Sequence, residues 1–277
     1  MKRWLKRLSM GLGLVVGLAV VALAVFTAIS VTRQQKTYAI PVERIPIPTD
    51  SAAIDRGRHL VNAVSACTSC HGDDMGGGVV LDHPLLGRFV AANLTRLKGT
   101  RDQDLIHAIR HGVARDGRSL LFMPSYAFQS LSDAELAATI AYLRTLTPVD
   151  RALPPSWVGP LGRVLHVLGF PLLPAERVDH RNAGKAPQAG VTLEYGRHLA
   201  TVSGCHGCHG PTLSGGSGPG PNLVDAVAMW SEADFRQALR QGIRPNGSTL
   251  AEPMPWRSYA GLTDEELAAL WLYVSSL

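Results

Sequence analysis

The sequence predicts an all-α protein, with an N-terminal transmembrane helix followed by two tandem helical units. Three observations predict this. Ser9 to Thr32 carries no charged residue. A set of short motifs occurs twice along the chain in the same order. Between glycine-rich loops the apolar residues recur at helical spacing, and no segment shows sustained strand alternation.

The first element is the apolar run Met10–Val31. Its 22 residues, at about 1.5 Å rise each, match the ~30 Å hydrocarbon core of a bilayer. Lys2, Arg3, Lys6 and Arg7 precede it, and positive flanks stay cytoplasmic, so the remainder is expected on the far side of the membrane. A cleaved signal peptide is the rival reading, because Ala22-Leu23-Ala24 fits a small-x-small cleavage site. The run continues past that site through Val25, Phe26 and Ile29, which favours an uncleaved anchor. Residues 1–32 are therefore assigned to a basic tail and anchor. Residues 33–50, with Pro41, Pro46 and Pro48, are assigned to an extended stalk that lifts the domains off the bilayer.

The repeat sets the rest of the organisation. Gly57-Arg58-His59-Leu60 returns as Gly196-Arg197-His198-Leu199, and Cys67-Thr68-Ser69-Cys70-His71-Gly72 as Cys205-His206-Gly207-Cys208-His209-Gly210. Gly77-Gly78, Asn93-Leu94 and Met123-Pro124 return as Gly215-Gly216, Asn222-Leu223 and Met254-Pro255. Asp104–Gly112 matches Asp234–Gly242, and Leu131–Leu146 aligns without a gap with Leu262–Leu277. The period is far longer than that of solenoid repeats. Two domains are expected, 51–147 and 193–277, joined by a linker at 148–192. Helix starts are marked by capping boxes at Thr100–Gln103, Ser132–Glu135 and Thr263–Glu266, each ahead of an apolar face.

Charge follows the same divisions. The chain has 27 Lys or Arg and 22 Asp or Glu, a net +5. Residues 1–32 carry +4, 33–49 carry +2, 50–147 are neutral, 148–192 carry +2 and 193–277 carry −3. The basic excess thus lies in the anchor and connecting segments. No basic patch is interleaved with aromatics, which argues against a nucleic-acid partner.

Cys-x-x-Cys-His is the attachment pattern for c-type haem. Two thiols at this spacing can each form a thioether to the porphyrin, and the adjacent His is then held as an axial ligand. The chain offers this twice, as Cys67, Cys70 and His71 and as Cys205, Cys208 and His209, so two covalently bound haem c groups are expected. A shared zinc site, a redox disulfide and isolated structural disulfides are the alternatives. The two knuckles lie in separate repeats, which disfavours shared zinc. A redox Cys-x-x-Cys has no use for the following His or a downstream Met. Met123 and Met254 each precede a proline, and they are the methionines that recur in both repeats. A soft thioether opposite His raises the haem potential, so both are candidate sixth ligands. Met75 aligns with Leu213, and Met229 has no counterpart.

With these motifs the chain resembles the class I cytochrome c family over about 55–147 and 193–277. Within that family it looks like the haem domains of membrane-anchored cytochrome subunits of periplasmic dehydrogenases. The resemblance implies an electron carrier, not an enzyme, on a bacterial cytoplasmic membrane with its haem domains in the periplasm. Its partners would be redox proteins: a dehydrogenase on one side and an oxidase, quinone system or soluble cytochrome on the other. The alternative is a dihaem peroxidase-like enzyme with one open or bis-His haem; a thiolate-ligated haem has no free cysteine to draw on. The resemblance also places Gly57 and Gly196 where the first and last helices of each domain cross, near Tyr142 and Tyr273.

Other polar residues are read as secondary. His59 and His198 could form a bis-His set, against the simpler reading of partly exposed helix histidines. His83, His107, His111, His166 and His180 are expected at the surface or in the linker. Asn93 and Asn222 either donate to a haem propionate or order a loop. The apolar stretch 157–173 is expected to cover a domain surface rather than to enter the membrane, because it is short and carries Arg163 and His166.

Overall fold

A computed structural model describes residues 2–181, 184–216 and 218–277. The expected tail, the linker and the loop Gly215–Gly220 each include residues outside these: Met1, Asn182-Ala183 and Ser217. Helix α1 (Lys2–Gln35) is one continuous rod. Within it Lys6–Gln35 is long and apolar enough to cross a membrane, and its most apolar stretch is not buried against any described residue.

The first repeat forms α2 (Ser51–His59), α3 (Thr68–His71), α4 (Asp102–His111), α5 (Ser125–Phe128) and α6 (Asp133–Leu143). A π-turn over 60–64 extends α2. The linker contributes α7 (Pro160–Val167). The second repeat forms α8 (Leu193–Val202), α9 (Cys205–His209), α10 (Leu223–Val227), α11 (Glu232–Gln241), α12 (Trp256–Tyr259) and α13 (Asp264–Val274). Ser132 and Thr263 close the capping boxes of α6 and α13 as their sequences require.

Helix α2 packs on α6 and α8 on α13. A glycine is obligatory at each crossing. A Cβ on Gly57 would lie 1.9 Å from the Ala138 carbonyl oxygen, and one on Gly196 2.0 Å from that of Ala269. The Cβ atoms of Tyr142 and Tyr273 are the next neighbours, where the family resemblance put them.

Four expectations need correction. The all-α assignment fails locally, because β1 (Gly78–His83), β2 (Gly87–Ala91) and β3 (Trp157–Val158) form an antiparallel sheet in the order β1-β2-β3. The first repeat has a longer connection than the second between its paired glycines and its Asn-Leu, and this insertion folds as a hairpin. A bulge at Val79/Leu81 breaks the strand alternation that would have revealed it. Helix α4 starts after Arg101, one residue later than the Thr100 box requires, and has no side-chain cap; the Arg101 guanidinium instead pairs with Asp104 of the first turn. Finally, residues 36–49 are extended but do not stand free. The Tyr38 amide donates to the Gly117 carbonyl at 2.8 Å, Ile45 and Ile47 pack on the core, and Glu43 pairs with Arg110 and with His111 at 2.5 Å. His111 is accordingly buried, against the surface position expected of it, while His166 lies in the linker as expected and is buried beside Ser30 of α1.

The two repeats share one apolar core, in which Leu60, Leu131 and Leu136 join Leu199, Leu262 and Leu267. Their polar contacts are reciprocal. His59 Nε2 donates to the Glu266 carboxylate at 2.7 Å, and His198 Nε2 to that of Glu135 at 3.2 Å. Arg56 lies 3.6 Å from Glu135 and 3.4 Å from Glu266. Each partner occupies the equivalent place in the other repeat, so the interface is a pseudo-two-fold one.

Candidate haem sites

Each Cys-x-x-Cys-His lies on a single helical turn, α3 or α9, which closes at a glycine with positive φ, Gly72 or Gly210. The turn puts both thiols and the imidazole on neighbouring faces. The His rings are then fixed from behind. His71 Nδ1 donates to the Ala92 carbonyl at 2.8 Å, and His209 Nδ1 to the Pro221 carbonyl at 2.8 Å. A backbone acceptor at Nδ1 sets the tautomer and leaves Nε2 with its lone pair free, the arrangement used by imidazoles that ligate metals. His209 Nε2 is buried and has no hydrogen-bond partner among the described residues. Burial lowers the His71 pKa, only partly offset by its bond to Ala92, which favours the neutral, ligating form.

The four cysteines are partly buried. Burial, with a smaller contribution from the second thiol of the pair, pushes Cys67 and Cys205 up to about 12. Burial also raises Cys70 and Cys208. Redox-active Cys-x-x-Cys pairs have the opposite perturbation, with one thiol made acidic.

In the second repeat Cys205, Cys208, His209 and Met254 line one cavity of about 230 Å³, together with apolar residues such as Trp230, Phe235 and Leu270. The buried orphan nitrogen, the paired thiols, the thioether and the apolar walls fit a porphyrin attached through both cysteines. Gly220 belongs to this fit, since a Cβ there would stand 2.6 Å from His209 Nδ1. In the first repeat Cys67 packs with Val61, Met75 and Leu143. Met123 and Met254 occupy matching positions. Both are partly buried against the shared core, and both precede a proline in nearly the same conformation, φ −81°, ψ 51° for Pro124 and φ −85°, ψ 47° for Pro255. The amides of Ser125 and Trp256 each donate to the carbonyl of the preceding Met at 2.9 Å. Met75 is core packing and Met229 is 89% exposed.

His59 and His198 are occupied by carboxylates of the opposite repeat. Asn93 and Asn222 order loops: Asn93 Oδ1 accepts from the Thr95 amide and Asn222 Oδ1 from the Asp225 amide. The sequence reading missed the carbonyls of Ala92 and Pro221, which carry no side-chain signature. Glu135 and Glu266 show in the sequence only as capping residues, although they also bind His198 and His59. Their recurrence beside a recurring His was the available signal.

The family described as cytochrome c oxidase, cbb3-type, subunit III matches residues 52–143 and again 194–274. A nicotinate dehydrogenase subunit of Pseudomonas putida is 28% identical over 259 residues, covering 82% of this chain and 21% of that protein. Gluconate 2-dehydrogenase cytochrome c subunit of Pantoea cypripedii is 32% identical over 97 residues, 29% of this chain and 22% of that protein. The chain thus spans about a fifth of the length of these two relatives. A diheme cytochrome c-type protein of Cereibacter sphaeroides is 28% identical over 258 residues, 79% of this chain and 84% of that protein. With the family matching both repeats at their Cys-x-x-Cys-His turns, the chain belongs to that family and is a class I cytochrome c protein resembling the cytochrome subunits of dehydrogenases.

Proposed function

We propose that this protein is a membrane-anchored dihaem cytochrome that carries electrons between a dehydrogenase and a downstream acceptor. Cys67 and Cys70 hold one haem and Cys205 and Cys208 the other. His71 with Met123, and His209 with Met254, would hold the two irons. Haem bound there supplies a one-electron iron couple whose potential is set by its axial ligands. The carrying observation is the pair of imidazoles, each fixed through Nδ1 by a backbone carbonyl beside two partly buried cysteines, with Met254 in the same cavity as His209.

The residues around the sites support a carrier. Two protein ligands per iron leave no position for a substrate. The two attachment turns lie against the shared interface: Thr68 Oγ1 is 3.0 Å from Ser258 Oγ, and the Tyr126 hydroxyl lies beside Gly207. Each turn therefore abuts the helix that follows Met-Pro in the other repeat, a short route between the units. The division into domains 51–147 and 193–277, and residence on the periplasmic face of a bacterial inner membrane through α1, belong to the same reading. The dehydrogenase subunits among the relatives support a dehydrogenase as donor.

Replacing Met254 by His tests the ligand assignment. A redox titration is expected to show one haem potential lowered and the other nearly unchanged, and Met123→His should do the same to the other haem. Equal shifts at both haems, or none, would reject it. Rapid stoichiometric binding of carbon monoxide to one haem of the native reduced protein would favour the peroxidase-like alternative.

A further inference from the structure

Helix α7 has an outer face ill suited to water. Its inner face buries Gly162 and His166. Its outer face shows Leu161, Leu165 and Leu168, exposed by 41%, 36% and 68%, at helical spacing. A helix packed on a protein normally turns polar residues outward. Here Arg163, the one charged residue of 160–168, bends back to the Val158 carbonyl at 3.1 Å. The apolar surface continues to either side. The Leu85 carbonyl accepts from the Leu161 amide at 3.0 Å and its side chain is exposed, while exposed Phe170 stacks on Phe122 at 6.2 Å.

Alongside lies the end of α1. Ser30 Oγ is hydrogen-bonded to His166 Nδ1 at 2.9 Å, Arg33 donates to the His166 carbonyl at 3.3 Å, and the Arg33 guanidinium pairs with the Glu176 carboxylate. These contacts lock α1 to α7 where the apolar run of α1 ends. Val25 and Ile29 remain exposed beside them. From Phe26 to Val31, at about 1.5 Å per residue, α1 advances about 7.5 Å. Helices lying in a membrane interface sit about 5–10 Å deep.

We propose that the outer face of α7, with Leu85 and Phe170, lies in the headgroup–acyl boundary of the bilayer that α1 spans, and seats the first repeat on the membrane in a fixed orientation. The occupant is lipid because the patch is continuous with the bare surface of α1, and the two cannot move apart without breaking the Arg33–Glu176 and Ser30–His166 contacts. The inference rests on α1 being a membrane anchor.

The test uses full-length holoprotein, whose native cysteines are consumed by haem. It is reconstituted at low density in phosphatidylcholine–phosphatidylglycerol vesicles. Single cysteines replace Val16, Leu165, Leu168 or Met229 and carry a nitroxide. An unchanged haem spectrum certifies each fold. Labels at Val16, Leu165 and Leu168 are expected to be several-fold less accessible to a water-soluble nickel chelate than the Met229 label, and accessible to oxygen. If the Val16 label is in lipid while those at Leu165 and Leu168 meet nickel as readily as Met229, the seating is wrong and the anchor stands. If the Val16 label also meets nickel, both fail. Labels on α7 shielded from both relaxants would indicate cover by protein, and would equally overturn the proposal.

Discussion

At the scale of single residues, the imidazole placement depends on positions that bear no reactive group. His209 is held by the Pro221 carbonyl, and Gly220 leaves room for its ring. Gly220→Ala would bring a methyl group within 2.6 Å of Nδ1. The ring must then turn, or the Pro221 carbonyl must retreat. The expected outcome is loss or alteration of one low-spin haem signal in electron paramagnetic resonance, with the other intact. Equal loss of both signals would instead indicate general misfolding.

At the scale of elements, the helix crossings are the tightest joints. The close approaches of Gly57 and Gly196 are to backbone carbonyls of α6 and α13, which cannot rotate away as a side chain can. Gly196→Ala is therefore expected to separate α8 from α13 and to cost about 3 kcal/mol or more, the upper end for overpacking. Thermal unfolding of the holoprotein measures this. Gly13→Ala in α1, with no atom within 4 Å of its added Cβ, is the neutral control.

At the scale of the whole molecule, the reciprocal His–Glu pairs tie the repeats together. Burial raises the Glu135 and Glu266 carboxyl pKa values. The hydrogen bonds from His198 and His59, the capping contacts to Ser132 and Thr263, and the neighbouring positive charges outweigh it, so both end below the ordinary 4.5. A carboxylate with a depressed folded pKa stabilises the fold above its unfolded value, and that stability is lost as pH falls through the folded one. The interface is thus expected to weaken in acid, starting below about pH 4.5. Glu135→Gln with Glu266→Gln should remove about 1–3 kcal/mol per site at neutral pH. The same change should flatten the acid limb of a stability-against-pH curve. An unaltered limb would place the acid sensitivity elsewhere.

Much of this architecture was legible in the sequence because the repeat compares each position with its twin. The two Cys-x-x-Cys-His motifs form single helical turns and the two Met-Pro steps take matching conformations, since helix geometry is a local constraint, and the two Gly–Tyr crossings stand where the family resemblance put them. The hairpin β1-β2 was not legible, because it lies in an insertion without a twin and its alternation is broken by a bulge. The partners of His59, His198, His111 and His166 were not legible either. Each is supplied by a residue more than 60 positions away in the chain. By itself the sequence determined the chemistry: an apolar helix, and two helical turns that present paired thiols and an imidazole. Tertiary structure alone decided how the parts sit together. The repeats share one core behind crossed His–Glu pairs, and the expected stalk lies docked on the first repeat. The end of α1 is locked beside the bare face of α7. Such contacts depend on which surfaces meet in space, and local sequence pattern carries no record of that.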